Sequence, residues 1–218
     1  MNIAIDGPAG AGKSTIAKRV SKKLGYVYVD TGAMYRTMAL YFLRNQIDGS
    51  DEKAVSDSLD AVSVEIRYED GEQKVLLNGE DVTSLIRTEE VGNMASATSK
   101  YPAVRAKLLE LQRDLARKMD VVMDGRDIGT TILPDAEVKI YLTASVEARG
   151  KRRFEELQAK GVACDFEQIK KDIEDRDYRD MHREVSPLKQ AEDAYYLDSS
   201  DMNIEEVTEA IINRINER

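Results

Sequence analysis

"GPAGAGKST", Gly7–Thr15, decides how the start of the chain is read. The apolar run "NIAI" (2–5) precedes it and ends in "DGP", which reads as a short buried strand. From Lys13 onward Ile16, Val20 and Leu24 recur every four residues, and Gly25 supplies a stop, so a helix is expected. Between strand and helix, Gly7 to Ser14 matches G-x-x-x-x-G-K-[ST] in full. Glycines permit backbone torsions and close approaches that other residues forbid. Backbone N–H groups then point inward, and the helix N-terminus adds partial positive charge, so the loop is built for an anion. Gly7, Pro8, Ala9, Gly10, Ala11, Gly12, Lys13, Ser14 and Thr15 are the candidate ligands of a nucleoside triphosphate. Lys13 is expected to reach the β- and γ-phosphates, and the Ser14 hydroxyl to ligate Mg²⁺.

Outward from the loop, "YVYVD" (26–30) is β-branched and aromatic and reads as a second strand, with another helix from about Met34. A strand–helix–strand start implies a parallel sheet with crossover helices. Residues 62–84 change character: apolar and polar residues alternate, and "EDGE" and "NG" mark turns, so a small antiparallel insertion is expected. Helix returns over 88–118, broken near "KYP" (100–102). "VVMDGRD" (121–127) and "VKIYL" (138–142) read as the third and fourth core strands, and "AYYLD" (194–198) as the last. Residues 145–181 are charged and mostly helical with a turn around "KGVACD". "DMNIEEVTEAIINRI" closes the chain as an amphipathic helix capped by Asp201 or Asn203.

The bulk properties exclude several classes. With 218 residues, 42% of them hydrophobic, one domain with insertions or small mobile parts is expected. No apolar run is long enough for a membrane span. The start, "MNIAIDG", has no basic leader segment, so a cytoplasmic location is expected. The single cysteine, Cys164, forms no internal disulfide and reads as an incidental loop thiol. The single histidine, His182, lacks the setting of a nucleophilic triad and reads as solvent-facing. A net charge of −9 argues against nucleic acid as partner, and makes local convergence of arginines more informative than their number.

"DTGAMYR" (30–36) follows the second strand and "DGRD" (124–127) the third, and ligands of open parallel sheets gather at such strand ends. Thr31 stands at the helix entry, fit to cap it or to bind a ligand hydroxyl, and Arg36 lies one turn in. Arg36, Arg126 and Lys13 are expected to converge on two phosphate groups, a task suited to the forked guanidinium. In "RDYRDMHR" (176–183), Arg176, Arg179 and Arg183 share one helical face. Two readings stay open: a solvated helix whose interleaved Asp residues make local pairs, or a mobile lid carrying arginines to the transferring phosphoryl group.

Taken together, "GPAGAGKST", "DTGAMYR", "IRTEEV", "DGRDIGT", "PDAEVKIYL" and "RDYRD" resemble the bacterial cytidylate kinases, and the likeness runs through essentially the whole chain, including the 62–84 insertion. The resemblance implies an α/β, P-loop three-layer fold with a five-stranded parallel sheet, a small antiparallel β insertion and a helical lid. It implies an ATP-binding core at 1–30, 119–150 and 185–218, a nucleoside monophosphate-binding region at 31–118 and a lid at 151–184. The implied reaction is transfer of the ATP γ-phosphoryl group to CMP or dCMP, with Mg²⁺ accompanying ATP. Arg36 and Arg126 would hold the acceptor phosphate, and Thr31 with Asp180 the pentose. Ser96, Arg105 and Asp127 would form the cytosine pocket, and Arg183 would close over the acceptor. Arg176 and Arg179 would serve the transferring group, and Arg152 would stack on adenine. No nucleic-acid or membrane partner is implied, and a monomer is expected. Two rivals remain: a P-loop kinase for another nucleotide or for a metabolite such as shikimate, and a nucleotide-sensing module signalling through the 62–84 sheet.

Overall fold

The computed structural model describes residues 1–217. Its elements run β1 (Asn2–Asp6), α1 (Lys13–Leu24), β2 (Val27–Asp30), α2 (Thr31–Arg44), α3 (Glu52–Ser58), β3 (Val64–Glu69), β4 (Glu72–Leu77), β5 (Glu80–Asp81), α4 (Glu89–Thr98) and α5 (Pro102–Lys118). There follow β6 (Val121–Gly125), a π-helical turn (Ile128–Ile132), β7 (Val138–Thr143), α6 (Val146–Ala159), α7 (Phe166–His182), β8 (Tyr195–Asp198) and α8 (Ile204–Asn216). One five-stranded parallel sheet has the order β2-β6-β1-β7-β8, and a second, three-stranded sheet has the order β3-β4-β5. Both pairings of the small sheet are antiparallel, as the alternation over 62–84 predicts. No helix among the described residues is long and apolar enough to cross a membrane.

The chain divides into two compact units, one of residues 1–26 with 122–218, the other of 27–121. In the first, Ile3, Ala4 and Ile5 of β1 and Ile140 and Leu142 of β7 are buried, and the strands pair in parallel with Ile5 opposite Ile140. Burial of each such branched side chain contributes roughly 1.5–3 kcal/mol. Helix α1 buries Ile16, Ala17 and Val20, the face that the four-residue recurrence marks. Gly25 ends it in the left-handed region at φ 71°, and the Tyr26 N–H returns to the Ser21 carbonyl at 2.9 Å. That bond commits Tyr26 to the helix end, and β2 starts one residue later than the sequence suggests. Asn203, not Asp201, caps α8, through a capping box with Glu206.

In the second unit, α2 starts at Thr31 rather than near Met34. Asp30 ends β2 and caps α2 at once, its Oδ1 accepting from the Ala33 N–H at 2.8 Å, so strand passes to helix without a loop. Thr31 is therefore the first helical residue and not the cap, and it is buried. Helix α3 is absent from the sequence reading because it buries only Val55, too little for a periodic signal. Pro102 opens α5, which accounts for the break at "KYP".

Candidate active site

The loop of the first unit is shaped by contacts that only glycine tolerates. Gly7 has φ 150°, and a Cβ there would lie 1.9 Å from the Leu142 carbonyl oxygen of β7. Gly12 has φ 88° and begins α1 without a side-chain cap, leaving the first helical N–H groups for a ligand. The Lys13 ammonium turns back onto the Pro8 carbonyl at 2.7 Å and is buried. Burial first, and then the like charge of Arg126, hold it well below the ordinary lysine pKa, against the pull of Asp124, Asp180 and Asp6. The Ser14 hydroxyl donates to Asp124 Oδ2 at 3.0 Å, joining the start of α1 to the end of β6.

Beyond β6, Arg126 Nε donates to Asp180 Oδ2 of α7 at 2.8 Å. Burial opposes both charges, yet each holds the other ionised: Arg126 stays above its ordinary pKa and Asp180 below, with Arg176 and Arg183 adding to the effect on Asp180. Arg183 pairs with Asp127 at 3.6 Å, both side chains being nearly covered, and its Nε donates to the Ser186 carbonyl at 2.7 Å. Asp6, at the end of β1, accepts from the N–H groups of Ile128 and Gly129 at 2.8 and 2.7 Å and so anchors the π-helical turn. Burial pushes its pKa up to about 7, despite those two bonds.

Asp177 and Asp180 correct the reading of α7 as a solvated helix of local pairs. Both are buried, and both reach other elements. Asp177 takes both ends of the Arg149 guanidinium of α6, whose Nη1 also donates to the Ala9 carbonyl of the loop at 3.0 Å. Arg179, by contrast, is exposed on α7, and Arg152 donates to the Ser199 carbonyl at 2.6 Å. His182 is exposed and stacks on Tyr178, with ring centroids 4.0 Å apart.

In the second unit, the buried carboxylate of Asp30 receives Arg36 Nη2 at 3.3 Å and Arg87 Nη2 at 3.0 Å on Oδ2. Burial works against this anion, but Arg36 and Arg87 and the Ala33 N–H hold its pKa below the ordinary value. Arg105 is buried, not a surface arginine. Its guanidinium lies 5.5 Å from the centre of the Tyr35 ring and donates to the Ser99 carbonyl at 3.2 Å. The Ser96 hydroxyl of α4 is buried with no hydrogen-bond partner among the described residues.

Asp6, Asp30, Asp124, Arg87, Arg149 and Asp177 lie outside the set of site residues picked from sequence. Asp124 ends an apolar strand run and was findable from that position. Arg87 lies inside "IRTEEV". Arg149 and Asp177 carry no sequence signal, because only burial distinguishes them from the neighbouring charges.

A glycine loop on a parallel sheet, with a buried lysine, a Ser–Asp oxygen pair and arginines nearby, defines a P-loop phosphotransferase. Solved structures agree on the fold: shikimate kinase from Bacteroides thetaiotaomicron (13% identity, 99% of this chain and 98% of that one, TM-score 0.50) and a protein from Eubacterium ventriosum (13% identity, 100% and 99%, TM-score 0.53). The cytidylate kinase family model matches residues 3–217. The cytidylate kinase of Lactobacillus gasseri is 55% identical over 97% of this chain and 92% of its own, and that of a Geobacillus species 50% identical over 100% and 97%. The chain belongs to the cytidylate kinase family.

Proposed function

We propose that the protein transfers the γ-phosphoryl group of ATP to CMP or dCMP, giving ADP and the pyrimidine nucleoside diphosphate. The family match over residues 3–217 supports the acceptor half of this reading, and the state of Lys13 supports the donor half. The Lys13 charge is buried, opposed by Arg126 and bonded to its own loop. Such a cation is costly until an anion arrives beside it, and a triphosphate on the loop supplies that anion.

The acceptor phosphate is already anionic near neutral pH, so its oxygen attacks the γ-phosphorus in line and ADP leaves without a general base. Catalysis is then positioning and charge neutralisation. Lys13 draws charge from the β- and γ-oxygens, and Arg176 and Arg179 serve the transferring group. In the first unit Arg126 takes acceptor phosphate, Asp180 the pentose, Asp127 the base, and Arg183 covers the nucleotide. In the second, Arg36 takes acceptor phosphate, Thr31 the pentose, and Ser96 and Arg105 the base. Arg152 lies against adenine. Residues 151–184 act as the lid, residues 31–118 as the acceptor-binding region, and 1–30, 119–150 and 185–218 as the core. Ser14 and Asp124 fit Mg²⁺: both offer hard oxygens, 3.0 Å apart, one of them from a buried carboxyl group. When bound, the ion neutralises charge on the β- and γ-phosphate oxygens. The protein acts as a cytoplasmic monomer on free nucleotides.

The test is ADP release measured against CMP, dCMP, UMP, AMP, dTMP and shikimate. CMP and dCMP are expected to give the highest kcat/KM. Preference for any other acceptor overturns the cytosine reading, and tight ATP binding without turnover of any acceptor favours a sensing module.

A further inference from the structure

Two side chains of the small sheet reach into β2. The Gln73 amide of β4 accepts from the Asp30 N–H at 2.9 Å and donates to the Asp30 carbonyl at 3.3 Å. The Tyr68 hydroxyl of β3 donates to the Tyr28 carbonyl at 3.1 Å. Tyr68 and Gln73 stand opposite each other in the β3–β4 register, so one cross-strand pair makes all three bonds. On a strand, residues i and i+2 turn their N–H and C=O groups to the same edge. Tyr28 and Asp30 therefore present one row of backbone groups, and β2 stands last in the sheet order, where no further strand among the described residues takes that row. Side chains of the insertion do so instead.

Asp30 is the point at which this matters. It ends β2, caps α2 through Ala33, and its carboxylate receives both Arg36 and Arg87. Fixing its backbone fixes the cap and the place of both guanidiniums. Arg44 of α2 also pairs with Glu80 of β5, at 2.6 and 2.9 Å, but that pair is exposed and adds little.

We propose that Gln73 and Tyr68 are positioning residues of the acceptor subsite, and that the inserted sheet acts as a brace that sets Asp30, and through it Arg36 and Arg87, for the acceptor phosphate. This rests on the reading of Arg36 as an acceptor-phosphate ligand. Neither residue touches substrate. Both act through the backbone of β2.

The experiment uses the full chain with Gln73→Met, which keeps length and bulk and removes both bonds, and with Tyr68→Phe, which removes only the hydroxyl. Amide hydrogen exchange over residues 30–36 of the nucleotide-free protein is measured first. Both variants are expected to lose protection there, with exchange over 7–15 unchanged. Steady-state kinetics then separate the two substrates. In Gln73→Met the KM for CMP is expected to rise about tenfold, the size of two neutral hydrogen bonds lost, and the KM for ATP to stay within about twofold of the parent. Arg87→Gln combined with Gln73→Met is expected to cost less than the product of the single effects, because both act on Asp30. Unchanged exchange at 30–36 overturns the brace whatever the kinetics show. Lost protection with an unchanged KM for CMP, or an equal rise in both KM values, overturns its link to the acceptor. A parent that does not turn over CMP defeats the functional reading alone, and the exchange measurement still decides the brace.

Discussion

Arg149 grips both carboxylate oxygens of Asp177, Nη1 to Oδ1 at 3.1 Å and Nη2 to Oδ2 at 2.6 Å, with the arginine only 4% exposed. The same guanidinium donates through Nε to the Ala144 carbonyl at 2.9 Å and through Nη1 to Ala9 of the phosphate loop. One buried cation thus joins the start of α6, the middle of α7 and the loop. Removing one partner of a buried pair leaves the other charge uncompensated, at a cost of about 3–5 kcal/mol. Asp177→Ala is expected to lower stability by that order in urea denaturation and to raise the KM for ATP. A variant within about 1 kcal/mol of the parent would show that water reaches Arg149 and replaces its partner.

Gly7 and Gly12 separate two reasons for glycine. A methyl group on Gly7 meets the Leu142 carbonyl oxygen at 1.9 Å, so the backbone of β7 or of the loop must move. A methyl group on Gly12 meets nothing within 4 Å, and only its φ of 88° is unfavourable. Gly7→Ala is therefore expected to abolish ATP binding and cut the yield of folded protein. Gly12→Ala is expected to fold, with a stability loss of about 1–2 kcal/mol. Equilibrium ATP binding and thermal denaturation of the two variants side by side check this, and equal effects would remove the distinction.

Lys13→Met tests whether the buried ammonium is there for the ligand. Its pKa is lowered chiefly by burial and by Arg126, so the charge is a burden on the nucleotide-free fold. The variant is expected to denature at the same urea concentration as the parent or higher, while kcat falls by about a thousandfold or more. Near-normal turnover would sink the role of Lys13, and a large stability loss would make it a structural residue.

Much of this site is legible in the sequence because spacing encodes it. The phosphate loop, the strand end at Asp30, the strand end before Arg126 and the antiparallel pairing of 64–77 follow from local pattern, although only β3 alternates in burial and β4 buries Val75, Leu76 and Leu77 in a row. What is not legible depends on pairing between distant residues. Residues 145–181 read only as charged and mostly helical, yet Arg149 and Asp177, 28 residues apart, are buried against each other. Gln73 looks like a surface residue of a small sheet until its bonds to Asp30, 43 residues away, are seen. The start of α2 differs for a local reason: Asp30 both ends β2 and caps α2 with its carboxylate.

Asp6 predicts how stability depends on pH. Its carboxyl is pushed up to about 7, far above the ordinary carboxylate range, mainly by burial, against the Gly129 and Ile128 N–H bonds, with the Asp127 charge adding to the effect and Lys13 opposing it. The folded protein therefore binds this proton more tightly than the unfolded chain does. The stability from that proton is fully present below about pH 4 and is lost as pH rises to about 7. Other carboxylates, Asp30 and Asp180 among them, are shifted the opposite way and add stability with rising pH, so the parent curve is a sum. Asn does not ionise and keeps one of the two acceptor oxygens that the Ile128 and Gly129 N–H groups use; the bond it loses costs the same at every pH, so the pH-dependent part of the difference between parent and Asp6→Asn isolates the one group. Relative to the parent, the variant is expected to gain stability steadily between pH 4 and pH 7 and to hold that gain above it. Urea midpoints of the two proteins at half-unit steps from pH 4 to pH 8, without nucleotide, measure this. Parallel curves would mean that Asp6 is ionised across the whole range, held there by its two backbone bonds and Lys13 in spite of its burial.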